Sequence, residues 1–130
     1  MATDPLTKLR SLCLALPGAV EKEAWGAPTF RAPKMFAMYS GGDHHLRAGR
    51  PAVWIKASPA NQTLVIDSAP DRYFMPPYMG PSGWIGVWLD RRPPWTAIAA
   101  LLEDGYRQVA AKPLLAELDA RTTPSSRTRR

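Results

Sequence analysis

Proline, glycine and Asx residues cut the middle of this chain into short pieces, and that punctuation limits what it can fold into. Pro17-Gly18 opens the series. Pro33, Gly41-Gly42-Asp43, Gly49, Ser58-Pro59-Ala60-Asn61, the proline-rich stretch from Pro70 to Gly83, and Asp90 to Pro94 continue it. Each is a turn or breaker signal, so no long helix passes through this region. The pieces between are apolar and extended in character: residues 29–31, 35–40, a short piece near Leu46, 52–56, 63–66 and 84–89. Within residues 52–56, Val53 and Ile55 fall on one face while Trp54 and Lys56 fall on the other, the period of a half-buried strand. Residues 58–61 read as a turn leading into the strand at 63–66. Residues 21–27 carry no clear period and read as a link, and residues 71–83 as loop or sheet edge.

The flanks have a different rhythm. Asp4-Pro5 reads as an N-cap followed by proline at the first helical position. Leu6, Leu9, Leu12, Cys13 and Leu16 then form one apolar stripe, which Pro17-Gly18 ends. After Pro94, the residues Trp95, Ile98, Leu101, Leu102, Tyr106 and Val109 fit a second helical face. Gly105 inside it costs roughly 1 kcal/mol relative to alanine, so packing must hold that turn. Pro113 interrupts, and Leu114, Leu115 and Leu118 suggest a short terminal helix. Helix, then strands joined by tight turns, then helices gives an α+β two-layer sandwich: an antiparallel β-sheet with helices packed on one face.

The 130 residues suit a single domain over 1–120, and 45% hydrophobic residues supply a real core without disulfides or metal. Cys13 is the one cysteine, which suits a reducing compartment. No basic segment followed by an apolar run opens the chain, and no apolar stretch reaches the roughly 20 residues of a membrane helix. A soluble cytoplasmic protein with no membrane contact is expected.

The net charge is +6, from 17 basic and 11 acidic residues. Four of the basic residues, Arg121, Arg127, Arg129 and Arg130, lie after Ala120, which leaves 13 against 11 over residues 1–120. That last segment, 121–130, has no apolar anchor and reads as a disordered basic tail. Inside the folded part, Arg31, Lys34, Arg47, Arg50 and Lys56 stand against Asp43 alone between Trp25 and Ala60. If the aliphatic residues of the strands face the helices, the other face presents Trp54 and Trp88 beside basic side chains. Such a face stacks bases and neutralises phosphates in single-strand binders. The same tryptophans equally suit a core or the interface of a homodimer.

Several pieces in order carry a family resemblance: Leu16-Pro17-Gly18 with Glu21, Trp25-Gly26 with Pro28 and Phe30, Lys34-Met35-Phe36-Ala37, Trp84-Ile85 with Val87 and Leu89-Asp90, Leu101-Leu102-Glu103 with Tyr106, and Val109-Ala110 with Lys112. From about Leu9 to Leu118 the chain resembles the MmcQ/YjbR family. The resemblance implies a two-layer α+β fold like that of frataxin and of secretion chaperones, and DNA binding with a double-wing motif. It carries over no catalytic residue.

Catalytic and metal chemistry find little to work with. Asp43-His44-His45 offers adjacent imidazoles, but strand neighbours point to opposite faces and no further His or Cys completes a site. Cys13 lies on the apolar stripe, where a thiol is buried and inert. Gly41-Gly42 lacks the Lys-Ser/Thr of a phosphate loop. The sequence therefore predicts neither enzyme nor cofactor. It predicts a DNA-binding protein that uses Arg31, Lys34, Arg47, Arg50, Trp54 and Lys56. The alternative is a protein- or small-ligand-binding module built on the Tyr73–Met79 loop and the tryptophan surface.

Overall fold

A computed structural model describes residues 4–24, 26–42, 50–76 and 80–127. Six antiparallel strands form one sheet in the order β1-β2-β3-β4-β6-β5. They are β1 (Val20–Ala24), β2 (Ala27–Arg31), β3 (Met35–Gly42), β4 (Arg50–Ile55), β5 (Tyr73–Phe74) and β6 (Ile85–Trp88). Four helices accompany them: α1 (Pro5–Leu14), α2 (Pro59–Ser68), α3 (Trp95–Val109) and α4 (Lys112–Arg127). The α+β two-layer sandwich expected from the sequence is the fold.

The strand period sorts side chains to two faces. Phe30, Ala37, Ile55 and Ile85 lie in one register row, and Val53 and Val87 pair in the next. All six are buried with Leu9 and Cys13 of α1, Ile98, Leu101, Leu102 and Tyr106 of α3 and Leu118 of α4. Each such aliphatic or aromatic side chain contributes about 1.5–3 kcal/mol of burial. The Tyr106 hydroxyl donates to the Pro17 carbonyl at 2.6 Å, tying α3 to the end of α1. Arg10 of α1 grips Glu21 of β1 through two hydrogen bonds of 2.6 and 3.0 Å.

Three elements differ from the sequence-based expectation. Of residues 21–27, read as a link, residues 21–24 belong to β1 and pair with β2, which begins at Ala27, and Gly26 takes φ 74°. Residues 58–66, read as turn and strand, are the start of α2. Ser58 caps that helix by accepting from the Asn61 amide, and Pro59 fills its first turn. This is the signal that Asp4-Pro5 gives at α1, where Asp4 accepts from the Thr7 amide. The β-branched run Val65-Ile66 packs sideways against the main core instead of entering the sheet. The buried Gln62 amide then donates to the carbonyls of Gly80 at 2.9 Å and Trp84 at 2.7 Å, fixing α2 against the segment that leads into β6. The third is α4, which continues to Arg127 and takes in seven residues of the segment expected to be unstructured. Arg121 anchors it there, donating to the Ala15 carbonyl at 2.7 Å and to Glu117 at 3.1 Å.

Candidate nucleic-acid interface

The face of the sheet turned away from the helices carries a second cluster. Met38, Trp54 and Gly86 share one register row, continued by Phe74, and Trp88 lies opposite Ala52 in the next. Trp54 is 4% exposed, Trp84 5% and Trp88 6%. Trp54 and Trp84 are buried with Ala27 and Met38, and Met35 and Phe74 pack against them. Phe74 stacks on Trp88 with ring centroids 4.2 Å apart. It lies over Gly86, where any Cβ would run into its ring. The sequence-based expectation of an open stacking platform is therefore corrected. An indole or phenol ring buries about 150–250 Å², and on this face the rings meet that need by packing on one another. Trp54 is buried there and offers no open ring.

The basic residues singled out in the sequence divide into two groups. Arg31 pairs with Met35 across the β2–β3 turn that contains Lys34, and the Lys56 amide donates to the Phe36 carbonyl at 3.0 Å. The backbones of these three residues therefore lie within about two strand spacings of one another, roughly 10 Å. Lys34 is exposed and the other two are half-buried. The Arg31 Nε donates to the Thr29 hydroxyl at 3.1 Å, which aims it along the tryptophan-bearing face. None of the three forms an ion pair with a described residue.

Arg50 belongs elsewhere. It pairs with Gly42 at the far end of β3, six positions along β4 from Lys56, or about 20 Å at strand rise. Its guanidinium grips Asp90 at 2.9 and 3.2 Å and lies over Trp88, 4.0 Å from the ring centroid. That hydrogen bond, with the charge of Arg50 and of Arg72 behind it, holds the Asp90 carboxyl below the usual carboxylate range. Arg47 lies outside the described residues, as do His44 and His45. Among the described residues no three His, Cys, Asp or Glu side chains converge on a metal-sized space. No helix among them is long and apolar enough to cross a membrane.

Sequence reasoning missed the residues around Asp90. Arg72 donates to the carbonyls of Trp88 at 2.7 Å, Asp90 at 2.8 Å and Arg91 at 2.7 Å. It thereby pins a turn in which Arg91 and Arg92 both take left-handed backbone, with φ 57° and 55°. Asn and Gly dominate such positions, so two arginines there gave no turn signal beyond the Asp90 and Pro93-Pro94 that flank them.

A family model described as YjbR matches residues 14–108, most of the folded chain. The chain belongs to the YjbR family. A search of curated proteins finds no match. Among solved structures, this YjbR domain is similar to the Deinococcus radiodurans protein DR2400, described as a DUF419 domain. The two share 20% identity with a TM-score of 0.66, over 86% of this chain and 85% of that one. At that identity the likeness establishes the fold.

Proposed function

We propose that this YjbR domain is a non-catalytic module that binds the phosphate backbone of nucleic acid through Arg31, Lys34 and Lys56. One observation supports the reading: three basic residues lie at one end of the sheet, and none of them is held in an ion pair with a described residue. The family resemblance, with its DNA-binding label, points the same way. With the tryptophans buried, affinity comes from charge, so it is insensitive to base sequence and strongly dependent on salt.

Fluorescence anisotropy with labelled DNA tests this on full-length protein in which Arg127, Arg129 and Arg130 are changed to Gln. Three duplex phosphate contacts give a salt slope of about −2.7, so affinity falls roughly 40-fold between 50 and 200 mM salt. Changing Arg31, Lys34 and Lys56 together to Glu should abolish binding while the circular dichroism spectrum stays unchanged. Binding that survives this triple change rules the reading out. The protein- or small-ligand-binding alternative keeps one supporting observation, Met75, which is 59% exposed beside β5. Docking there would be apolar and little affected by salt.

A further inference from the structure

At the opposite end of the sheet, beyond the end of β6, lies an open cleft of about 660 Å³ lined by Arg50, Pro70, Asp71, Trp88, Asp90 and Arg91. Its charges are evenly matched, two arginines against two aspartates, but they are not evenly engaged. Arg50 and Asp90 satisfy each other through the paired hydrogen bonds at 2.9 and 3.2 Å. Asp71 and Arg91 have no such partner. Both are exposed, both line the cleft, and neither forms an ion pair with the other or with any described residue.

The backbone sets both beside one turn. Arg91 holds left-handed φ because Arg72 bonds the carbonyls on both sides of the turn, and Asp71 precedes Arg72 in the chain. Left-handed backbone at a non-glycine residue costs on the order of 1 kcal/mol, and here two successive residues bear it. The result is one free positive and one free negative group on a single cleft, beside the pyrrolidine of Pro70 and the edge of Trp88.

A dianion meets Asp71 and Asp90 in such a cleft, and a cation meets two arginines. A ligand that carries both charges meets neither objection. We propose that this cleft binds a small zwitterion of the α-amino-acid class, its carboxylate on Arg91 and its ammonium on Asp71, with the apolar part along Pro70 and Trp88. The volume lies in the range of small-molecule sites. This site is distinct from the Arg31, Lys34 and Lys56 cluster and stands or falls separately from it.

The test is an NMR titration of the full-length protein with a panel of proteinogenic α-amino acids. For the tightest of them, the matching amine without carboxylate and the matching acid without ammonium are titrated as well. Saturable shifts are expected at the amides of Asp71 and Arg91 and at the Trp88 indole N–H. Each half-ligand should bind about tenfold more weakly, the worth of one charge-assisted hydrogen bond. Asp71→Asn should weaken the amino acid about tenfold and leave the amine-free acid unchanged, while Arg91→Gln should weaken the amino acid by a similar factor and leave the carboxylate-free amine unchanged. No saturation by any amino acid, half-ligands that bind as well as the parent, or variants without this crossed pattern would each overturn the proposal.

Discussion

Gly105 of α3 lies directly against the backbone of Lys56: a Cβ at position 105 would stand 2.7 Å from the Lys56 carbonyl oxygen and 3.3 Å from Ile55 Cγ2. The missing side chain lets the helix close on the end of β4. Alanine here gains roughly 1 kcal/mol of helix propensity. Against that, the clash falls on backbone that cannot swing aside, and overpacking of this kind costs about 1–3 kcal/mol. Gly105→Ala is therefore expected to lose stability, by about 1–2 kcal/mol in urea unfolding. A rise in the melting temperature would show that α3 retreats freely from the sheet.

The Arg50–Asp90 pair gives the fold a pH dependence of known sign. Arg50 lowers the folded-state pKa of Asp90 below its unfolded value. The stabilisation is therefore complete above the unfolded carboxyl value of about 4, and is lost as pH falls through the folded one. Arg10 acts on Glu21 in the same direction. Asp90→Asn should thus be less stable than the parent at pH 7, and the difference should close in strongly acidic solution. Urea melts at the two pH values measure it. A difference of equal size at both would assign the effect to packing on Trp88 instead.

What the sequence made legible was the set of elements whose signals are local. The Asp4-Pro5 cap, the α1 stripe, the alternation of Val53 and Ile55, and the face running from Ile98 to Tyr106 all held in the structure. Ser58-Pro59 carries the same cap signal, but Ser58-Pro59-Ala60-Asn61 is equally a turn signature and the β-branched Val65-Ile66 equally a strand one. The candidate site was less legible because grouping depends on register. Arg31 and Lys56 are distant in sequence yet flank the start of β3 from either side, whereas Arg50, close to Lys56 in sequence, lies at the other end of β4. Alternation placed Trp54 on the face away from the helices. It could not show that Met38, Trp84 and their neighbours close over that face.

Cys13 is fully buried among the core leucines, and burial pushes its thiol pKa upward. A thiol held protonated and out of solvent does not react with disulfide or maleimide reagents. Native protein should resist Ellman's reagent, and one equivalent should react on unfolding in denaturant. Rapid modification of the native state would mean that α1 opens from the sheet far more often than a core helix does.

Trp54 separates the two ways in which this face can meet nucleic acid. If an exposed indole stacked a base, its loss would weaken single-strand binding by about 1–3 kcal/mol with little effect on the fold. The structure predicts the opposite, because Trp54 is buried among Ala27, Met38 and Trp84. Trp54→Ala should cost about 3–5 kcal/mol of stability, as large aromatic truncations in a core do. The milder Trp54→Phe should keep the protein folded at working temperature. With that variant, DNA affinity at fixed salt should match the parent, and the salt slope should stay where Arg31, Lys34 and Lys56 set it. A fall in affinity with Trp54→Phe, at unchanged slope, would place the indole in direct contact with the ligand and require this face to open on binding.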